Sequence, residues 1–139
     1  MTDYVRRLKE WSTLRKQIES AINPYDLVFK FWNKIPTNSK NVDPYDEDTW
    51  PDPWEMILEN DYCAFKKILG IMYTFQLTDR FSQSSFEINI TLDQKESRYV
   101  YILLLDKTSI GIYTNGNAGF YTQSNLVPQV HYSKLPQYS

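Results

Sequence analysis

The segment DYCAFKKILGIMYTFQLT, residues 61–78, decides the fold because apolar side chains cover nearly its whole circumference when it is drawn as a helix. Beyond Lys66, Lys67 and Gln76 it has little polar surface, so other elements must cover it on several sides. Gly70 in its interior is tolerated where another element packs closely. The segment is therefore predicted to be the central helix of the core.

Strand-like segments follow this helix at residues 86–92, 99–106 and 110–114, and a short one can follow at 118–122. The second is almost wholly apolar and is predicted to be the central strand. Short polar connections between the segments indicate hairpins. The sequence thus predicts an α+β fold, in which N-terminal helices and a central buried helix pack on a small antiparallel sheet of three to four strands.

Two further helices are predicted at the N-terminus. Apolar residues recur at three- and four-residue spacing and indicate an amphipathic helical arm over residues 1–22; they are Val5, Leu8, Trp11, Leu14, Ile18 and Ile22. Asn23 can cap a second helix that has Pro24 at its first position and ends at Lys34 or Ile35. Its apolar residues occupy most of the circumference, so it is predicted to be buried or docked.

The segment TWPDPWE, residues 49–55, contains a strong helix-start signal. Asp52 can cap a short helix and Glu55, three residues later, can reach back to the cap in a capping box. Trp54, Ile57 and Leu58 are then predicted to face the core. This segment follows a polar loop at residues 36–49, and long ordered loops are often functional.

Length and composition indicate one domain over residues 1–139, ending in an extended tail at 126–139. A single cysteine excludes an internal disulfide, and neither a secretory signal nor a membrane segment is apparent, so we expect residence in a reducing cytoplasm. Aromatic residues reach 16%, and rings of this kind are enriched at protein interfaces.

Charge is segregated along the chain. Residues 1–40 carry eight Lys or Arg and four Asp or Glu, whereas residues 41–61 carry eight acids and no base. We expect the basic part to attract the acidic part, within one molecule or on a neighbouring copy. The sequence pI of about 5.4 and the lack of a known motif argue against nucleic acid. Phosphate binding is an alternative, through Arg6, Arg7, Lys9, Arg15 and Lys16.

Cys63 is the most obvious candidate nucleophile. A cysteine in the first turn of a helix is favoured as the reactive thiolate, and a helix-borne cysteine ahead of an antiparallel sheet resembles the papain and transglutaminase cores. In the transglutaminase order the base would fall near Arg98 or Tyr99 and the acid near Asn115. Tyr99 cannot replace a histidine near neutral pH, so the resemblance implies a degenerate core.

The rest of the sequence contains few residues that could act as a base for this thiol or orient such a base. The lone histidine, His131, lies near the end and no Asp or Glu follows Asp106. His131 could fold back with Asn115, Asn117 or Asn125 behind it, but the simpler interpretation is a buried apolar cysteine. We therefore predict no catalytic residues.

Metal and cofactor sites are not predicted either. The acids between residues 43 and 52 lack the alternating spacing, glycine and distant glutamate of a calcium loop. Zinc is disfavoured by the shortage of Cys and His, and no phosphate-binding glycine motif is present. An acidic loop facing solvent or an interface explains the cluster better.

Four stretches carry a resemblance to a known family: PYDLVFKFW at 24–32, DPYD at 43–46, TWPDPWE at 49–55 and YCAFKKILG at 62–70. Together they resemble a small uncharacterised protein of marine contractile-tailed phages of the cyanophage type. The resemblance implies a component of the virion or an assembly factor, made in the host cytoplasm.

The leading hypothesis is therefore a non-enzymatic structural component of a phage neck, tail or baseplate. Its partners would be other virion proteins and copies of itself, and not nucleic acid or membrane. The candidate interface residues are aromatic anchors and charged groups: Trp32, Trp50, Trp54, Tyr101, Arg6, Arg7, Asp46 and Asp48. The alternatives are a thiol-dependent acyl transferase or peptidase that uses Cys63, and a small intracellular protein that binds a host factor.

Overall fold

The computed structural model describes residues 2–38, 42–122, 126–133 and 135. Within these residues four α-helices, one turn of 3-10 helix at Glu47–Thr49 and one five-stranded antiparallel sheet are present, which confirms the predicted α+β class. The helices are α1 (Asp3–Ile18), α2 (Pro24–Asn33), α3 (Pro53–Glu59) and α4 (Ala64–Gln76), and the strands are β1 (Phe86–Asp93), β2 (Arg98–Leu105), β3 (Thr108–Ile112), β4 (Ala118–Phe120) and β5 (Leu126–Tyr132).

The strand order in the sheet is β4-β3-β2-β1-β5. The first part of the predicted extended tail at 126–139 is extended, but Leu126–Tyr132 also pairs with β1 as an edge strand, which the sequence pattern does not predict. Pro128 argues against a strand in the sequence, because proline lacks an amide donor and interrupts a strand pattern. It lies opposite Thr91, where the register shifts between Ile90 and Thr91. Residues 134 and 136–139 lie outside the described residues.

The predicted helix starts are confirmed at three helices. The Thr2 hydroxyl accepts from the Val5 amide at α1, the Asn23 side chain accepts from Asp26 at α2, and Asp52 and Glu55 form the capping box at α3. Each cap satisfies an amide that the first turn leaves without a partner.

Two details of these helices differ from the prediction. In α3 the buried residues include Ile57, but Trp54 is 42% exposed and Leu58 57% exposed, because the helix turns Met56 inward instead. α1 ends at Ile18, and Ile22 is fully exposed beyond it. Nor is α1 a projecting arm, since Trp11, Leu14 and Ile18 are buried against the rest of the molecule.

α4 is the buried centre of the fold, as predicted, although it begins at Ala64 and not at residue 61. Every residue from Phe65 to Gln76 is buried. A Cβ at Gly70 would overlap the ring of Trp32, so the absence of a side chain there allows α2 to pack directly on α4.

The hydroxyl of Thr74 joins three helices inside the core. The indole nitrogens of Trp11 (α1) and Trp32 (α2) both donate to Thr74 Oγ1, at 2.9 and 3.1 Å. The hydroxyl itself donates to the Gly70 carbonyl at 2.6 Å. Thr74, Trp11 and Trp32 are all buried, so neither indole could find water in place of this oxygen.

A smaller cluster covers the other face of the sheet. Tyr121 packs there with Val100 and Ile102, and its hydroxyl donates to Asp93 at 2.9 Å. Desolvation by burial, with the carboxylate as its hydrogen-bond partner, raises the pKa of Tyr121 to about 12. Desolvation opposes the charged form of Asp93, but hydrogen bonds from Tyr121 and from two backbone amides outweigh it and lower the pKa of Asp93.

Thr74→Val should destabilise the protein by about 2 to 5 kcal/mol, because it keeps the shape of the side chain and leaves two buried indole donors without an acceptor. Thr74→Ser, which keeps the hydroxyl and loses a methyl group, should cost about 1 kcal/mol. Urea unfolding followed by tryptophan fluorescence measures both. Equal losses in the two variants would show that the hydroxyl does not hold the helices together.

Tyr121→Phe should lower the free energy of unfolding near neutral pH, because Asp93 then loses a hydrogen bond to its charged form. The stability that a lowered carboxyl pKa provides is present above the ordinary value and is lost as pH falls through the folded-state value. The difference between wild type and Tyr121→Phe should therefore shrink toward about pH 3. Urea midpoints at the two pH values test this, and a difference that is constant with pH would contradict it.

Candidate interaction groove

An open groove of about 610 Å³ lies between α1, α2 and the C-terminal end of α3. We call it the basic groove. Its apolar floor is formed by the half-buried side chains of Leu27 and Phe31 and the buried side chains of Leu14, Ile57 and Tyr62. Tyr62 lies two residues before α4. A volume of this size is typical of ligand and peptide sites.

The rim of the basic groove is strongly cationic. Five basic side chains line it and Glu10 is the one acid among the lining residues, so the formal net charge is +4; the bases are Arg6, Arg7, Lys9, Lys30 and Lys34. Arg6 is paired with Asp3 and Glu10 along α1. Lys9, Lys30 and Lys34 form no ion pair with any residue that the structure describes. Three ammonium groups on the rim are thus available to an acidic partner.

Arg7 has a different role from the lysines. Its guanidinium donates to the carbonyl oxygens of Ile57 and Leu58, at 3.1 and 3.2 Å. These carbonyls belong to the last turn of α3, where unpaired carbonyls favour a cation. Arg7 therefore fixes α3 against α1 and shapes one end of the groove.

The C-terminal end of α2 is also fixed. Asn33 both donates to the Ala118 carbonyl (3.1 Å) and accepts from the Ala118 amide (2.7 Å), which ties α2 to β4. The buried ammonium of Lys67 donates to the carbonyls of Ile35 and Gly116. Desolvation lowers the pKa of Lys67. The wall that carries Lys30 and Lys34 is consequently held by contacts to both the sheet and α4.

Residues 43–48, which we call the acidic segment, form a second charged surface. They carry four carboxylates and no base, a formal charge of −4. Asp43 and Asp46 accept from the amides of Tyr45 and Asp48, which gives the segment local turns. The ring of Tyr45 is 54% exposed. The carboxylates form no ion pairs among the described residues.

The candidate interface residues fall into two groups. Trp32 is fully buried and Trp50 is 8% exposed, so the prediction that these two are surface anchors is wrong. Both rings pack in the core: Trp32 contacts Tyr62, and Trp50 contacts Phe65 and Tyr132. The remaining predicted residues keep exposed or half-buried surface, with two on the basic groove and two in the acidic segment: Trp54, Tyr101, Arg6, Arg7, Asp46 and Asp48.

The interface residues predicted from the sequence do not include the lysines and apolar residues of α2 that line the basic groove. Leu27 and Phe31 are four residues apart, as are Lys30 and Lys34, and this spacing puts each pair on one side of a helix. Because apolar residues occupy most of the circumference of α2, the sequence predicts a helix that is buried or docked. The paired lysines were the signal that one side remains open.

Cys63 lies at the N-cap of α4, where its side chain makes no capping hydrogen bond. It borders a cavity of about 640 Å³ that is also lined by Tyr45, Tyr99 and Tyr101. Tyr99 thus stands near the thiol, where the transglutaminase order places its base, and a phenol cannot serve as that base near neutral pH. Burial raises the pKa of Tyr101, which makes it a still weaker acid. Asn115 lines a different cavity, with Lys67.

His131 does not approach the thiol. Its neighbour in β5, Tyr132, pairs with the buried Ile88 and contacts Trp50 on the core face of the sheet. Adjacent strand residues point to opposite faces, so His131 lies on the other face from Cys63. Its Nδ1 is 2.6 Å from the side-chain oxygen of Asn89. The alternative in which His131 folds back onto Cys63 is therefore wrong.

Across residues 2–38, 42–122, 126–133 and 135, no three His, Cys, Asp or Glu side chains converge as a metal site would require. None of the described helices combines the length and the apolar character that crossing a membrane takes.

No protein-family model matches this chain, and no curated protein or solved structure is significantly similar to it. The resemblances to a phage protein and to a degenerate transglutaminase core stay predictions.

Iodoacetamide should label Cys63 far more slowly in the native protein than in the unfolded chain, because the thiol is buried and no imidazole reaches it. Mass spectrometry of timed samples, with and without guanidinium chloride, measures the ratio. Native labelling as fast as in the unfolded chain would contradict the buried position and would reopen a thiol-dependent activity.

Proposed function

We propose that this protein is a non-enzymatic structural component of a phage virion and acts through protein-protein contacts, with the basic groove as one contact surface. The resemblance to a phage protein is the reason for the virion, in its neck, tail or baseplate. The observation that carries the contact role is the groove itself, which combines an apolar floor with lysine ammonium groups that form no ion pair with any described residue. Hydrogen bonds of Asn33 and Lys67 hold the wall that carries Lys30 and Lys34.

This combination suits an acidic peptide segment that carries one or two apolar side chains. Apolar side chains would cover the floor, where burial contributes most of the binding energy. Carboxylates would meet Lys9, Lys30 and Lys34 at the rim, where charge mainly sets specificity and association rate. Because Asn33, Lys67 and Arg7 already fix the walls, little ordering free energy is lost on binding.

The non-enzymatic part of the proposal rests on Cys63. Acyl transfer needs a base within hydrogen-bond reach of the thiol and a group that orients the base. The polar groups that line the cavity beside Cys63 are three phenols, the side chain of Asn38 and the carboxylate of Asp43, and His131 is on the opposite face of the sheet, so the cavity contains no imidazole. The surface of the molecule therefore suits binding through charge and apolar contact better than it suits acyl transfer.

A charge reversal on α2 tests the groove. K30E/K34E should weaken binding of a fluorescein-labelled acidic peptide with a central tyrosine at least ~10-fold, because two attractive rim charges become repulsive. Fluorescence anisotropy at low salt measures the affinity. K95E/K107E makes the same change of net charge on exposed hairpin positions and is the matched control. Equal weakening by both variants would point to nonspecific attraction.

Location tests the virion part of the proposal. We expect mass spectrometry of salt-washed phage particles to detect the protein at a fixed ratio to the other virion proteins. Particles from a phage that encodes K30E/K34E should contain less of it, whereas those encoding K95E/K107E should be unchanged. Detection in infected cells but not in washed particles would contradict the proposal and would favour the alternative of a protein that binds a host factor.

A further inference from the structure

We infer that the basic groove of one copy binds the acidic segment of a second copy, so that the chain assembles head to tail. This inference rests on the proposed function, because it names the partner that the groove takes. The starting observation is that the two surfaces carry equal and opposite formal charges, +4 on the groove lining and −4 on residues 43–48.

The acidic segment also has the shape of a ligand. Tyr45 presents an exposed ring between carboxylates on both sides, which matches an apolar floor between cationic rims. The side chains of Asp43 and Asp46 hold the local turns through backbone amides. The segment is therefore ordered before it binds, and preorganisation of this kind lowers the entropic cost of association.

The pairing cannot be satisfied within one molecule. No residue of the acidic segment lines the basic groove. The segment is tied down elsewhere: the Tyr132 hydroxyl donates to the Pro44 carbonyl at 3.0 Å, and the Trp50 indole donates to the Asp43 carbonyl at 3.2 Å. Trp50 is in turn packed against Phe65 and Tyr132. The opposite charges can consequently meet only between two copies.

The geometry of such a contact determines what it builds. Groove and segment are different surfaces, so each copy would use one to bind the copy before it and the other to bind the copy after it. A heterologous contact of this type closes into a ring when the rotation per copy allows, and otherwise continues as a helical filament. Rings and tubes of repeated subunits are the assemblies that a neck or tail requires.

Sedimentation velocity of the wild-type protein should show a mass that rises with concentration at low salt and falls in about 1 M salt, where exposed charges are screened. K30E/K34E removes the groove charges, and E47K/D48K removes segment charges whose carboxylates accept no hydrogen bond among the described residues. Each variant alone should sediment as a monomer. The control K95E/K107E should assemble as the wild type does.

One mixing experiment and one combined variant separate a specific contact from general charge attraction. An equimolar mixture of K30E/K34E and E47K/D48K contains one intact groove and one intact segment per pair, so it should give a dimer that grows no further. In the quadruple variant K30E/K34E/E47K/D48K the formal net charge of the groove lining and that of the segment both fall to zero, so this variant should remain a monomer even at low salt. Far-UV circular dichroism that matches the wild type establishes that each variant is folded.

The outcomes distinguish this inference from the proposed function. A wild-type protein that stays monomeric at high concentration and low salt, yet binds the acidic peptide through Lys30 and Lys34, would overturn head-to-tail assembly and leave the groove as a site for another protein. Assembly that K30E/K34E does not affect would also overturn the inference. A protein that neither assembles nor binds the acidic peptide would overturn both the head-to-tail inference and the proposed role of the groove.

Discussion

The hydroxyl of Thr74 is the interaction on which the rest of the structure depends. It accepts from the indoles of Trp11 and Trp32 and so fixes α1 and α2 against the same turn of α4. One buried oxygen thus satisfies two donors that have no route to water, and a buried donor without a partner costs far more than a formed hydrogen bond contributes. Gly70, one turn earlier in α4, gives the Trp32 ring the space it needs.

The same arrangement determines the basic groove. Trp11 and Trp32 fix the positions of α1 and α2, and Leu14, Leu27 and Phe31 of the same two helices line the cleft between them. The walls cannot close over this apolar surface, since their backbones are fixed through the indoles, Asn33 and Arg7. The cleft follows from the way in which the core is hydrogen-bonded.

Rules that depend on neighbouring residues predict much of this fold from the sequence. They fail for features that depend on contacts between segments far apart in the chain. Helix caps and the central helix depend on residues a few positions apart, so Thr2, Asn23 and Asp52 could be recognised. The pairing of β5 with β1 depends on segments more than 30 residues apart and on an edge position that tolerates Pro128. The burial of Trp32 and the exposure of Trp54 depend on which face each helix turns inward, and a helix that is apolar all round gives no periodicity from which to read this.

Because most large aromatic rings are used inside the fold, the proposed assembly would have few aromatic anchors at its contacts. Three of the four tryptophans, Trp11, Trp32 and Trp50, are buried in the core, and Trp50 packs there on Phe65 and Tyr132. Among the described residues the exposed tyrosine, tryptophan and phenylalanine rings are those of Tyr45, Trp54, Tyr99 and Phe120, and of these four Tyr45 alone belongs to the acidic segment or the basic groove. Most interfaces obtain their affinity from buried aromatic anchors and their specificity from charge. A surface with few such anchors and a separated +4 and −4 would form contacts that are individually weak and salt-dependent, so stable attachment would come from many copies bound at once, each adding to the effective concentration of the next.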